Sequence, residues 1–134
     1  MRQLEELAEE GYPNEVCALL EGTIVGSNSE LYETANVVGI IPMHNSDESI
    51  YAFRIDSSDL IKAYQDINSR NLEVVGIFHS HSSVAFPSVT DMKYMELNPV
   101  VWLIYSMWSH SCAAYIDNGK ITQVTLSSSE QQAS

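Results

Sequence analysis

The sequence has few basic residues and no long apolar run, and each shortage excludes a class of protein. Only 6 Lys and Arg stand against 18 Asp and Glu, which gives a net charge of −12. Because nucleic-acid binding is driven by Lys and Arg, we do not expect nucleic acid as a partner. No stretch of 18 apolar residues occurs, and the N-terminal MRQLEELAEE is acidic. We therefore expect neither a membrane span nor a secretion signal, and a cytoplasmic location.

The sequence is also poor in cysteine. Cys17 and Cys112 lie far apart and form no CxxC pair. This spacing suggests neither a thiolate zinc site nor a disulfide scaffold. We expect both to be small buried residues, because free cysteine is among the most buried residue types.

What is present indicates one compact α/β domain. A length of 134 residues with 45 % hydrophobic content fits a single core. We expect this domain over residues 1–126 and a disordered tail over residues 127–134. Helical spacing predicts a short helix at RQLEELAEE, a helix over residues 57–69 after Asp56, and a short helix at VTDMKYMEL.

The remaining apolar segments predict strands. They are NEVCALLEGTIVG with a turn at Gly22, ELYETANVVGII, IYAFRI, LEVVGIFHS, VVWLIYSM, CAAYI and KITQVTL. The run over residues 72–79 lacks alternation of polarity, which is typical of a strand covered on both faces. Together these elements predict a curved, mixed β-sheet flanked by helices.

The segment HSHSSVAFPSVTD carries the most chemistry. Residues i and i+2 of a strand point to the same face, so His79 and His81 would present two imidazoles side by side. Asp91 follows ten residues later, in the first turn of the next predicted helix, and the loop between them is long enough to bring its carboxylate back. Two histidines and a carboxylate form the three-ligand arrangement typical of catalytic zinc, with water in the fourth position.

A simpler interpretation of the same residues stays open at this point. Ser88 followed three residues later by Asp91 is also a good helix start, with Ser88 as the N-cap and Asp91 completing a capping box. A His-x-His pair can be a partly exposed pair on a strand. The two interpretations are compatible, because a cap can fix Asp91 where a zinc ion needs it.

The pattern resembles the signature of the JAMM (MPN+) metalloproteases. That signature is a glutamate near the N-terminus, H-[ST]-H, about seven residues, a serine, two residues and an aspartate. The matching positions are Glu15, His79, Ser80, His81, Ser88 and Asp91. YPNEVCALLEG and the region from Asn45 to GIFHSH are also similar to the family, so the resemblance covers roughly residues 10–125. In two departures, the loop from His81 to Ser88 holds six residues, and Ser82 replaces the usual proline.

The resemblance implies a JAMM/MPN fold with cytidine-deaminase-like architecture. Nucleobase deaminase activity itself is excluded, because the PCxxC part of the deaminase signature is missing. The resemblance further implies one catalytic Zn²⁺ held by His79, His81 and Asp91. Glu15 would be the general base and then the general acid, and Ser88 would donate a hydrogen bond to the oxyanion. Without the resemblance, Glu15 would be read as a solvated glutamate.

Three functions follow from the resemblance. The first is a zinc isopeptidase or peptidase that cleaves after the C-terminal glycine of a ubiquitin-like protein with a Gly-Gly tail, acting as a monomer or homodimer. The second is a hydrolase that processes a sulfur-carrier protein of ubiquitin-like fold. The third is a non-catalytic MPN scaffold. Val84, Ala85 and Phe86 form an apolar patch beside the proposed site, and we favour a substrate contact for them over a role in the core.

Overall fold

The computed structural model describes residues 1–26, 33–45 and 55–126. The elements in chain order are α1 (Arg2–Gly11), β1 (Cys17–Gly26), β2 (Glu33–Met43), α2 (Ser57–Ser69), β3 (Glu73–His81), α3 (Val89–Leu97), β4 (Val101–Ser106), β5 (Ser111–Asp117) and β6 (Ile121–Val124). Within these ranges, every helix is too short or too polar to cross a membrane.

The six strands form one sheet with the order β2-β1-β3-β4-β5-β6. β3 and β4 run parallel and are connected through α3. All other neighbouring pairs are antiparallel. The predicted mixed α/β sheet with flanking helices is therefore confirmed.

Each face of the sheet carries its own hydrophobic core. Along β4, Trp102 and Ile104 belong to one buried cluster, whereas Leu103 and Tyr105 belong to the other, because successive side chains of a strand point to opposite faces. The first cluster includes Ile67 of α2 and Met95 of α3, and the second includes Leu4 and Ala8 of α1. Eight of the nine residues of β3 are buried, which confirms the prediction that this strand is covered on both faces.

Local capping explains why the bounds of α2 and α3 agree with the predictions. The Asp56 carboxylate accepts hydrogen bonds from the backbone N–H groups of Ser58 and Asp59 at the start of α2. Ser88 and Asp91 form a reciprocal capping box at the start of α3. Both arrangements satisfy backbone donors that a helix start otherwise leaves without partners.

Several predicted features differ from the structure. The turn at Gly22 is wrong: β1 is one continuous strand with a bulge between Glu21 and Gly22. A Cβ at Gly22 would lie 1.9 Å from the Asn36 carbonyl oxygen, so the glycine permits close approach of β2 instead of a turn. β3 extends to His81, one residue beyond the predicted strand segment LEVVGIFHS, and both histidines of the motif lie in this strand, as their predicted i and i+2 placement requires.

Other predictions concern the two cysteines, one internal strand and the C-terminal tail. Cys17 is fully buried, as predicted, but Cys112 is only partly buried because β5 lies near the edge of the sheet. Most of the predicted strand IYAFRI and the whole of the predicted disordered tail, residues 127–134, lie outside the described residues.

Candidate metal centre

The two histidines of the motif occupy the C-terminal end of the central strand β3. His79 is 2 % exposed and His81 is 5 % exposed. Their ring centroids lie 4.5 Å apart with the ring planes perpendicular. The two-residue spacing on a strand thus places both imidazoles on the same face, as predicted.

Glu15 reaches the histidines because Val16, directly before β1, is hydrogen-bonded to Ser80 of β3. The Val16 N–H donates to Ser80 Oγ at 2.8 Å, and the Ser80 N–H donates to the Val16 carbonyl at 2.9 Å. The side-chain amide of Asn45 donates to the Glu15 carbonyl at 3.1 Å. As a result Glu15 is buried, with Oε2 2.9 Å from His79 Nε2. The alternative of a solvated glutamate is therefore wrong.

Asp91 lies between the two histidines. Its Oδ2 is 2.9 Å from His81 Nε2, and its Oδ1 is 3.2 Å from His79 Nδ1. The Ser88 N–H donates to Asp91 Oδ2 at 2.9 Å, and the Asp91 N–H donates to Ser88 Oγ at 3.1 Å. The helix cap and the approach to the histidines thus occur together.

The electrostatics of this cluster favour a charged carboxylate. Burial alone would raise the pKa of Asp91, but hydrogen bonds from both histidines outweigh it and hold the pKa well below its usual value. Burial likewise opposes the charged form of His81, yet the hydrogen bond and the charge of Asp91 outweigh it and raise the pKa of His81. Asp91 is therefore an anion at neutral pH.

The orientation of His81 is fixed from its other ring nitrogen. Nδ1 lies 3.2 Å from the Val84 carbonyl oxygen, which can only accept a hydrogen bond, so we assign the ring proton to Nδ1 in the neutral imidazole. Nε2 donates to Asp91 Oδ2 when it is protonated, and in the neutral imidazole its lone pair is directed at the same cluster. Metal-bound histidines commonly have this kind of hydrogen-bonded partner on the second nitrogen.

The residues present fit a metal ion. One ligand atom from each of Glu15, His79 and His81 lies within 4.8 Å of the others, and all three residues are buried. Asp91 adds a second buried carboxylate against the same imidazoles. Nitrogen and oxygen ligands of this kind suit zinc. The geometry brings together four of the five predicted site residues, and either carboxylate could serve as the third ligand.

Ser88, the fifth predicted residue, lies at the N-terminus of α3 and is exposed. Its Oγ accepts the Asp91 N–H, so its hydroxyl proton can be donated elsewhere. Sequence reasoning missed Ser106 and Tyr115, whose hydroxyls bind the loop after His81. Nothing in their local sequence distinguishes them from other polar residues in strands.

Comparison with known families now adds to this geometry. Residues 1–116 match the family described as prokaryotic homologs of the JAB domain. The chain belongs to this family. The JAMM/MPN resemblance inferred from Glu15, the two histidines, Ser88 and Asp91 is thereby confirmed at the level of the family.

Two curated relatives of this JAB-family chain carry functional names. A desampylase from Pyrococcus furiosus is 35 % identical over 91 residues, which cover 63 % of this chain and 61 % of the relative. The chain thus spans less than two thirds of that relative's length. A CysO-cysteine peptidase from Mycobacterium tuberculosis is 27 % identical over 129 residues, which cover 92 % of this chain and 83 % of the relative.

Solved structures show the same fold. A protein from Desulfitobacterium hafniense matches with a TM-score of 0.71 at 23 % identity, covering 92 % of this chain and 84 % of the other. A JAB1/MPN domain protein from Archaeoglobus fulgidus matches with a TM-score of 0.57 at 19 % identity, covering 93 % and 89 %. At these identities the likeness concerns the fold alone.

Proposed function

We propose that this JAB-family protein is a zinc-dependent hydrolase that cleaves the peptide or isopeptide bond after the C-terminal glycine of a ubiquitin-like protein. The observation that carries the proposal is the buried cluster of Glu15, His79 and His81, with Asp91 bridging the two histidines. The similarity to a protein named desampylase supports a conjugate of a ubiquitin-like protein as the substrate class. We also propose a cytoplasmic location for the protein.

In the proposed mechanism, His79, His81 and Asp91 would hold the zinc ion. A zinc ion bound in such a site lowers the pKa of its water from about 15.7 to about 7. Glu15 Oε2 lies 2.9 Å from His79 Nε2, so its carboxylate stands beside a residue that would hold the metal. Its carboxylate would accept the proton of the attacking water and pass it to the leaving amine.

Ser88 would stabilise the negative charge that develops on the substrate carbonyl oxygen. Its hydroxyl is exposed, and it is oriented through the hydrogen bond that Oγ accepts from the Asp91 N–H. A donor held in this way needs little rearrangement when the oxyanion forms. Removal of such a donor typically lowers the rate by about 10²–10³-fold, which gives the effect expected for Ser88→Ala.

A direct assay tests the proposal. The zinc-loaded protein is incubated with a ubiquitin-like protein joined through its terminal glycine to a lysine side chain, and the released amine is measured with and without a chelator. We expect cleavage that the chelator abolishes and that added zinc restores. An absence of cleavage on every Gly-Gly-tailed substrate would leave the non-catalytic scaffold as the better interpretation.

A second candidate is supported by the similarity over 92 % of the chain to a protein named CysO-cysteine peptidase. In this alternative, the substrate is a sulfur-carrier protein of ubiquitin-like fold, and the product is a single amino acid released from its C-terminus. The same residues would carry the reaction. Comparing kcat/KM for a glycine–cysteine terminus with that for a glycine–lysine isopeptide bond separates the two candidates.

A further inference from the structure

The loop Ser82–Pro87, which follows the second histidine, is held in place by hydrogen bonds to its backbone carbonyl groups. Three consecutive carbonyl oxygens of the loop accept hydrogen bonds from side chains on three different strands. The donors and acceptors are Ser106 Oγ to Ser83 at 2.5 Å, His81 Nδ1 to Val84 at 3.2 Å and Tyr115 Oη to Ala85 at 2.5 Å. All three donor residues are buried. These loop carbonyl groups are therefore hydrogen-bonded to side chains of the sheet instead of to solvent.

This fixation leaves apolar side chains on the outside of the loop. Val84 is 56 % exposed and Phe86 is 49 % exposed. The Phe86 ring stands edge-on to Tyr115 at a centroid distance of 5.4 Å, so one edge of the ring is supported and the rest faces solvent. The loop therefore exposes two apolar side chains within a few residues of His81.

Ser106 also holds the neighbouring turn between β4 and β5. Its Oγ accepts the N–H groups of Trp108 at 3.2 Å and Ser109 at 3.0 Å, while the Met107 N–H donates to the His81 carbonyl at 2.8 Å. Trp108 is nevertheless 72 % exposed. One buried hydroxyl thus links an exposed tryptophan to the loop that carries Val84 and Phe86.

These two segments are also unusual in charge. The chain carries a net charge of −12, yet residues 79–90 and 98–116 contain no Asp, Glu, Lys or Arg. Exposed apolar side chains that are grouped on neighbouring segments favour a contact site for a partner, and here hydrogen bonds to buried Ser106 connect the two segments. A partner that meets Val84, Phe86 and Trp108 therefore contacts apolar side chains on segments that carry no Asp, Glu, Lys or Arg of their own.

We propose that Val84, Phe86 and Trp108, here called the apolar rim, bind the folded domain of the ubiquitin-like substrate. The proposal rests on the proposed function. Val84 connects the rim to the metal centre, because its carbonyl binds His81. A Gly-Gly tail has no side chains to pack against Phe86 or Trp108, so these rings need a partner surface upstream of the tail. A second copy of this chain bound at the rim would restrict access to the adjacent metal centre.

Ser106 and Tyr115 act as positioning residues in this arrangement. Neither needs to touch the substrate, since each acts through a loop carbonyl. Tyr115→Phe removes the bond to Ala85 but keeps the ring that supports Phe86. This variant should raise KM for the protein substrate and leave zinc content unchanged.

The test compares two substrates with the same scissile bond. One is an intact ubiquitin-like protein linked through its terminal glycine to a reporter amine, and the other is a short peptide with the same terminal residues and reporter. For Trp108→Ala and Phe86→Ala, we expect KM for the protein to rise about tenfold, as for the loss of an aromatic anchor in an interface. The loss in kcat/KM on the protein should exceed the loss on the peptide at least about fivefold. Val38→Ala, at a 59 % exposed valine of β2, is the matched control and should behave like the parent.

The possible outcomes distinguish a failure of the proposal for the apolar rim from a failure of the proposed function. Equal losses on protein and peptide would overturn the rim and assign these side chains to the tail or to the chemistry. Parent-like kinetics in both variants would also overturn it, with the hydrolase function intact. A parent dimer that Trp108→Ala converts to a monomer would assign the rim to self-association. If the zinc-loaded parent cleaves neither substrate, the proposed function itself fails. Urea unfolding of each variant verifies that the fold is retained.

Discussion

Neutralising each of the two buried carboxylates of the candidate metal centre should have a different effect. Asp91 contacts both histidines, whereas the Glu15 carboxylate contacts one of them, His79. We predict that Asp91→Asn releases zinc and that Glu15→Gln retains zinc but loses activity. Both substitutions keep the side-chain volume nearly constant. The amide oxygen of Asn can still accept the Ser88 N–H, so the cap of α3 should survive.

The expected magnitudes follow from these contacts. Losing a partner that only hydrogen-bonds a metal ligand typically costs about 10–100-fold in metal affinity. A true ligand should cost more, so we expect Asp91→Asn to weaken zinc binding by more than about 100-fold. Glu15 hydrogen-bonds His79, but a Gln side chain can keep a hydrogen bond to this histidine, so we expect Glu15→Gln to weaken zinc binding by about 10-fold, the low end of this range. It should lower kcat by at least about 10²-fold, because general acid–base catalysis contributes about 10²–10⁴-fold. The backbone bonds that position Glu15 do not involve its carboxylate.

The assay is competition for zinc against a chromophoric chelator at pH 7, together with measured metal content and cleavage rate. Glu73→Gln is the matched control, because it neutralises an exposed acid at the opposite end of β3. The reasoning is refuted if Glu15→Gln loses zinc and Asp91→Asn keeps it. In that case Glu15, His79 and His81, whose ligand atoms lie within 4.8 Å of one another, would be the coordinating set.

Three further predictions concern the surroundings of the site. Ser80→Ala leaves the Val16 N–H without its acceptor, so the free energy of unfolding in urea should fall by about 1–3 kcal/mol. The variant should retain zinc but have a lower kcat. An unchanged kcat would show that this hydrogen bond does not position Glu15. Zinc at a hundredfold excess over its Kd should add about 2.7 kcal/mol to the free energy of unfolding, and no such gain should occur in Asp91→Asn. Burial, with a contribution from Glu5, raises the pKa of Cys112 to about 12, so only about 10⁻⁴ of the thiol is ionised at pH 8. The rate at which Cys112 is alkylated in the native protein should therefore rise about tenfold per pH unit from pH 8 to pH 10. A rate that levels off in this range would contradict the raised pKa.

Elements with strong local signals were predicted most accurately. The bounds of α2 and α3 agree with the prediction because Asp56 and Ser88 satisfy the first backbone N–H groups whatever the rest of the chain does. The unbroken apolar run before the histidines predicted a strand covered on both faces, and eight of the nine residues of β3 are buried. The bulge at Glu21 and Gly22 was missed, since a glycine that permits a close strand approach has the same local sequence as a glycine in a turn.

The sequence by itself determined the candidate metal-binding motif and the placement of its two imidazoles. The period of two residues in a strand places His79 and His81 on one face in any fold that keeps β3, and the capping box places Asp91 in the first turn of α3. These relations span at most about a dozen residues, so local geometry is sufficient to establish them.

Only the tertiary structure decided which distant groups join this motif. Glu15 lies 64 residues from His79 and meets it because β1 pairs with β3 and Ser80 binds the intervening backbone. Ser106 and Tyr115 reach the loop after His81 only because β4 and β5 lie next to β3 in the sheet. Strand pairing is a property of the whole chain, since the free energy gained by burying both faces of the sheet selects the neighbours, and no local pattern records that choice.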